Sequence, residues 1–162
     1  MGATRFESPI GELVVTASDS GLTGVRFPGA HPGALQPHDR RGPATAVVAR
    51  AREQLAEYFA RTRTVFDLPL DPPGTAFQRR VWDLLRTIPY GTTVSYGELA
   101  RRLGDVRATR AVGAANGKNP IPIIVPCHRV IGARGELTGF GGGLDRKRWL
   151  LEHEGAALAL GL

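Results

Sequence analysis

A single cysteine, Cys127, stands in the run Val125-Pro126-Cys127-His128-Arg129-Val130, against one of four histidines and beside an arginine. A thiolate is the strongest nucleophile among ordinary side chains, but a free thiol ionises only near pH ~8.5, so at neutral pH it needs a base or a nearby positive charge. His128 and Arg129 are placed to supply both. A lone cysteine is more commonly a small inert core residue, so its surroundings have to make the difference. Upstream, Asn119-Pro120-Ile121-Pro122-Ile123-Ile124-Val125-Pro126 is apolar, β-branched and stiffened by three prolines. It predicts a buried strand with a rigid exit, the kind of support a precisely positioned nucleophile needs. Histidines at 31, 38, 128 and 153 give no paired ligand spacing with Cys127, so no metal is expected, and an internal disulfide is impossible.

The elements that must hold this nucleophile fall into two halves, 1–71 and 72–162, divided at Asp71-Pro72-Pro73-Gly74. The first predicts a small α/β lobe. Gly11 to Ala17 and Leu22 to Phe27 form a hairpin across Ser18-Asp19-Ser20-Gly21. Pro28 to Pro43, with His31 and His38, reads as a surface loop. Val47, Val48, Ala51, Leu55, Tyr58 and Phe59 carry helical spacing within 44–61, and a short strand is expected at Val65-Phe66-Asp67-Leu68.

The second half predicts helices. Thr75 caps one with Phe77, Val81, Trp82, Leu84 and Leu85 on one face, ended by Ile88-Pro89-Tyr90-Gly91. Ser95 and Glu98 form a capping box for the next, which runs to Leu103. After Gly104-Asp105 a helix from Arg107 to Asn116 is lined with Ala108, Ala111, Gly113, Ala114 and Ala115, giving helix-turn-helix spacing. Such a slim helix either packs tightly on a neighbour or enters a groove, with Arg110 as the long reach from its middle. Gly132 to Gly143 is a bare loop that brings main-chain N–H groups and the Phe140 ring near Cys127, where a flat ring would fit. A last helix, Asp145 to Glu154, carries Arg146, Lys147 and Arg148 with Trp149, Leu150 and Leu151, and leads to a frayed alanine- and leucine-rich end.

Charge follows the same division. Through Gly74 eight arginines meet eight acids, whereas from Thr75 onward thirteen Lys or Arg face seven Asp or Glu, so the whole net charge of +6 lies with Cys127. A basic footprint beside a nucleophile points to an anionic polymer. Neither a signal peptide nor an apolar run of membrane-spanning length is visible, so a cytoplasmic protein is expected.

Pro126-Cys127-His128-Arg129, Arg110-Ala111-Val112-Gly113, Asn119-Pro120 and the glycine loop together resemble the O6-alkylguanine-DNA alkyltransferases over roughly residues 75–155. Ser8-Pro9-Ile10-Gly11 extends the likeness into the first half. The resemblance implies a ribonuclease-H-like amino-terminal lobe followed by a mainly α domain. It also implies irreversible transfer of an alkyl group from O6 of guanine in duplex DNA to the protein's own cysteine, with no cofactor and no required protein partner, by a monomer. Carried over position by position, it makes Cys127 the acceptor, His128 the base acting through a water, and Glu154 the carboxylate that orients it. Tyr96 becomes a hydroxyl donor to guanine and Asn119 a hinge. The guanine pocket is Tyr96, Pro122, Val130, Phe140 and Gly141; DNA contacts are Tyr96, Ala108, Thr109, Arg110, Ala111 and Gly113. Arg110 is expected to fill the gap left when the base is rotated out of the stack. One departure stands out: Phe140 occupies a position where many relatives have tyrosine. Two other classes remain open from the residues alone: a helix-turn-helix regulator with a thiol sensor, and a Cys-His hydrolase, which the adjacency of Cys127 and His128 disfavours.

Overall fold

The computed structural model describes residues 1–27 and 42–156, which form two compact units, Met1–Pro73 and Gly74–Leu162. Most of the loop 28–43, His31 and His38, and the alanine- and leucine-rich end beyond 156 lie outside the described residues.

The first unit is a three-stranded antiparallel sheet, β1 (Gly2–Ser8), β2 (Gly11–Ser18) and β3 (Gly21–Arg26), in the order β1-β2-β3, with helix α1 (Pro43–Phe59) packed on it. Leu13, Val15 and Ala17 of β2 point inward with the period of two that a half-buried strand requires. They meet Val47, Val48, Ala51, Leu55 and Tyr58 from α1, at the spacing that puts apolar residues on one helix face. The hairpin expected at 18–21 is present. β1 was not anticipated, because Thr4, Arg5 and Glu7 break up its apolar pattern; it is held by its ladder, with Phe6 opposite Leu13.

The strand expected at Val65–Leu68 does not form. Gln54 of α1 takes the polar groups of Asp67 that a ladder would use, with Nε2 donating to the carbonyl at 3.0 Å and Oε1 accepting from the amide at 2.9 Å. Val65 is left 71% exposed. Pairing comes later in the chain, as one parallel bridge between Leu22 and Leu70.

In the second unit α2 (Ala76–Leu85) starts at a full capping box between Thr75 and Gln78 and buries Val81, Trp82 and Leu85. Phe77 and Leu84 are only half-buried. The Trp82 indole donates to the Ala115 carbonyl at 2.8 Å, which ties α2 to the small-residue helix. After β4 (Val94–Ser95), α3 (Tyr96–Leu103) is capped by Ser95, whose hydroxyl accepts from the Glu98 amide. The reciprocal half of the expected box is replaced by ion pairs from Glu98 to Arg101 and Arg102.

Gly104, at φ 98°, ends α3 in the left-handed region that glycine enters without penalty. The expected helix from Arg107 to Asn116 is in fact a 3-10 turn, Val106–Ala108, followed by α4 (Thr109–Gly117), because the Asp105 carboxylate caps the turn at the Arg107 amide. α4 packs on both α2 and α3. A 3-10 turn over Cys127–Arg129 leads into β5 (Val130–Ile131), which pairs in parallel with β4, and α5 (Leu144–His153) follows.

Candidate functional site

The segment that delivers Cys127 is buried, as expected, but it is not a strand. Prolines at 120, 122 and 126 remove ladder donors, and the chain folds into consecutive tight turns. The Val125 amide donates to the Ile121 carbonyl at 2.9 Å and the Cys127 amide to the Val125 carbonyl at 2.8 Å. Ile123 sits at φ 73°, a region that costs a β-branched residue about 1–3 kcal/mol and persists only where its surroundings enforce it. Asn119 does much of that enforcing. Its Nδ2 donates to the Val125 carbonyl at 2.8 Å and its Oδ1 accepts from the Ile121 amide at 3.0 Å. From α4, Asn116 reaches the Cys127 carbonyl with Nδ2 at 3.4 Å.

Cys127 is buried at the first position of its 3-10 turn. Burial pushes its thiol up to about 11; a hydrogen bond from Asn119, the charge of Lys147, and the amides of Cys127 and His128 all work against that rise. Burial thus works against the expectation that His128 and Arg129 keep the thiol ionised in the resting protein. At rest the group is a thiol, and Arg129 is committed elsewhere.

That commitment is to Glu154. Arg129 places Nε 2.7 Å from Oε1 and Nη2 3.0 Å from Oε2, a two-pronged ion pair, while Nη1 donates to the Ile88 carbonyl at 2.7 Å. His128 Nε2 lies 2.7 Å from Oε2 of the same carboxylate. Burial would raise the Glu154 carboxyl, but His128 and Arg129 outweigh it and hold the group well below the usual carboxylate range. A carboxylate can only accept, so Nε2 must carry the hydrogen, and Nδ1 is left with a free lone pair. Nδ1 is buried without a hydrogen-bond partner. Burial also lowers the pKa of His128, more than Glu154 raises it, so the ring is a neutral base at physiological pH. Gly91 lets the chain pass Glu154 closely: at φ 77° it sits where an added Cβ would lie 3.1 Å from the Glu154 carbonyl oxygen. His153, which precedes Glu154, stacks on Trp149 at 4.8 Å between centroids.

A second cluster borders the nucleophile. The Tyr96 hydroxyl, at the start of α3, donates to the Thr138 carbonyl at 3.0 Å. Lys147 of α5 is fully buried and donates from Nζ to that carbonyl at 2.7 Å and to the Val130 carbonyl at 2.6 Å. The ammonium lies 6.0 Å from the centre of the Tyr96 ring. Pro122 and Val130 are buried, Phe140 is half-buried and Gly141 is exposed.

On α4, Arg110, Ala111, Ala114 and Gly117 are exposed, as is Lys118 just past its end, whereas Val112, Ala115 and Asn116 are buried. Ala108 and Thr109 are half-buried, and the Thr109 hydroxyl donates to the Val106 carbonyl at 2.9 Å. Gly113 faces the Tyr96 ring, 3.7 Å from where its Cβ would be. Within the helix the exposed stripe is thus made of small residues with one long cation, Arg110, in the first turn and not at the middle, and Lys118 follows at the C-cap. Among the described residues no group of three or more His, Cys, Asp or Glu could hold a metal ion.

The site therefore unites Cys127, His128, Glu154 and Asn119, and sets Tyr96 beside the glycine loop. Arg129, Lys147 and Asn116 were not recognised as interior site residues from sequence. For Asn116 a signal existed, since its spacing from Val112 and Ala115 puts it on the buried face of α4. For the two cations none did.

The chain matches two family models in succession: the ribonuclease-like domain of 6-O-methylguanine DNA methyltransferase over residues 2–72 and its DNA-binding domain over residues 76–156. A methylated-DNA–protein-cysteine methyltransferase of Mycolicibacterium paratuberculosis is 51% identical over 158 residues, covering 95% of this chain and 94% of its own. A namesake from Methanosarcina acetivorans is 48% identical over 151 residues, covering 93% and 96%. In three dimensions the chain is similar to Mycobacterium tuberculosis OGT crystallised in complex with DNA, with a TM-score of 0.83, 49% identity and 98% of each chain covered.

Proposed function

The chain belongs to the 6-O-methylguanine DNA methyltransferase family, and on that premise we propose how its own residues carry out direct repair of O6-alkylguanine in duplex DNA. The observation that carries the reading is the buried Cys127 on a rigid turn, next to a His128 whose Nε2 is engaged by Glu154 and whose Nδ1 has no hydrogen-bond partner among the described residues. The Cys127 proton passes to His128 Nδ1, by way of a water because residues adjacent in sequence do not face each other. Sulfur then attacks the alkyl carbon. A carbon–sulfur bond forms, the carbon–O6 bond breaks with its electron pair on oxygen, and the departing guanine takes up a proton, so the protein gains one alkyl group and the charge balances. A thioether is a poor leaving group, so each molecule acts once.

A base within a duplex cannot reach a buried sulfur, and unstacking it costs a few kcal/mol. In this reading α4 enters the minor groove with the stripe of Ala111 and Ala114, contacts to DNA come from Ala108, Thr109 and Gly113, and Arg110 fills the space the base has left. The extruded guanine lies among Tyr96, Pro122, Val130, Phe140 and Gly141. The Tyr96 hydroxyl turns from Thr138 to the ring and stabilises the negative charge that develops as O6 departs. Asn119 holds the turn in register. The catalytic work falls to residues 72–162, and the protein acts in the cytoplasm; among the described residues no helix is long and apolar enough to cross a membrane.

A thiol-sensor regulator is disfavoured on physical grounds. Redox-sensing cysteines are exposed with depressed pKa values, whereas Cys127 is buried and pushed up to about 11. The test is incubation with a duplex bearing one O6-methylguanine and mass analysis of the peptide that contains Cys127. One methyl group per protein is expected; an unmodified thiol in folded protein would overturn the reading.

A further inference from the structure

We propose that Lys147 is a fixed interior cation of the transfer site: it locks the carbonyls of Val130 and Thr138 and opposes the negative charge that develops on the Cys127 sulfur. The inference rests on the function proposed above and assigns a positioning role to a residue outside the Cys127–His128–Glu154 set.

A buried ammonium is costly. Moving it from water into a protein interior must be compensated by a partner charge or by several good acceptors, and a methionine of similar volume would fill the space more cheaply. Lys147 is fully buried, yet among the described residues no carboxylate comes within ion-pair distance of its Nζ; the carboxylate of this interior, Glu154, is taken by Arg129 and His128. Two carbonyls at 2.6 and 2.7 Å are what hold it. Its neighbours Arg146 and Arg148 do not share this burial, so the basic run at 146–148 is one inward cation between two others.

The two carbonyls belong to the segments that follow the nucleophile: Val130 comes directly after the Cys127 turn, and Thr138 lies within the glycine loop and also accepts from Tyr96. One ammonium thus braces three elements, α5, β5 and the loop, around a single point. The ionisable groups that face it are Cys127 and His128 on the 3-10 turn and Tyr96 on α3. Toward Cys127 its charge lowers the thiol pKa; toward His128 it helps keep the ring neutral and able to accept a proton. Burial pulls Lys147 down to about 8, so at neutral pH it remains charged, with little margin. Throughout the transfer it keeps its proton. The bonds that change are S–H, O6–carbon and carbon–sulfur, and the ammonium only lowers the energy of the charged sulfur between them.

The test compares the natural protein with Lys147→Met, Lys147→Gln and Lys147→Arg in single-turnover assays across pH 6–10, using two alkyl donors. One is a duplex with O6-methylguanine; the other is methyl iodide, which needs no recognition of guanine. With melting temperature and affinity for undamaged duplex retained, both neutral variants should react roughly 10- to 100-fold more slowly at pH 7 with either donor, as expected when a charge that favours the sulfur anion is lost. Lys147→Arg should keep most of the rate. The natural protein should show a downward inflexion near pH 8 that Lys147→Arg lacks. Rates of the neutral variants within threefold of the natural protein, or an inflexion that persists in Lys147→Arg, would overturn the inference; the second criterion applies even if the neutral variants fail to fold. Should the duplex donate nothing while methyl iodide still separates the variants, the lysine's role stands and the substrate assignment falls.

Discussion

His128 is a base shaped by opposing pressures, and the pH dependence of transfer should record the result. Burial holds its pKa below the ordinary histidine value of about 6.5 against the pull of Glu154. The single-turnover rate with O6-benzylguanine should therefore stay level as pH falls from 7 through 6.5, and drop about tenfold per unit only below that. A fall already complete by pH 6.5 would show that the ring is protonated in the resting protein. Stability follows the same sign. A histidine with a depressed folded pKa penalises the fold progressively as pH falls below its unfolded value. Glu154, also depressed, contributes fully above its ordinary carboxylate range and loses that contribution progressively only as pH falls below it. Unfolding measured between pH 6.5 and 5 should thus report His128 and not Glu154. Glu154→Gln removes the counter-charge of the buried Arg129 and should cost about 3–5 kcal/mol in denaturant unfolding, with a large loss of transfer. Of this cluster, Cys127 and His128 were legible because they are adjacent and rare in the chain. Glu154 came only through family resemblance, since a lone acid near a helix end looks solvated. Arg129 was legible as a neighbour of the thiol but not as the buried partner of Glu154, and Lys147 was not legible at all: an inward cation and a surface cation are written with the same letter, and only tertiary packing tells them apart.

At the scale of elements, α4 makes the sharpest claim. Its exposed stripe of Ala111 and Ala114 is free of bulk, so Ala114→Leu should leave stability within about 0.5 kcal/mol yet weaken duplex binding, as a titration with undamaged duplex would show. Arg110→Ala should slow repair in a duplex far more than reaction with free O6-benzylguanine, which needs no extrusion; equal losses would remove its proposed role. The helices α2, α3 and α4 were legible from caps and spacing, down to the Thr75 cap. Strands were harder. Ile121 to Val125 has the composition of a buried strand, but its prolines and the Asn119 bonds divert the backbone into turns. Val65–Leu68 lost its ladder to a glutamine side chain, and β1 carries too many polar residues to announce itself. In each case a side-chain hydrogen bond or a partner strand decided against local propensity.

For the whole molecule, Pro72-Pro73 and the shift in charge fall where the two compact units divide, between Pro73 and Gly74. All of the +6 belongs to the half that carries the nucleophile. Affinity for undamaged duplex should therefore fall steeply with salt, with log Kd changing in proportion to log salt by about 0.9 for each phosphate contacted. Salt-independent binding would contradict a phosphate-gripping surface. The parallel pairing of Val94 with Val130 and of Ser95 with Ile131 joins positions thirty-six residues apart, and it fixes Tyr96 and Cys127 to one short ruler. A reader of lengths would see two kinds of chain here. Deleting a single residue on either rung would shift one side of the ruler and abolish labelling of the thiol, whereas the tip at Ala133-Arg134-Gly135, outside the ladder, should accept a short inserted tag, making it the natural place to attach a reporter to a protein that marks itself once.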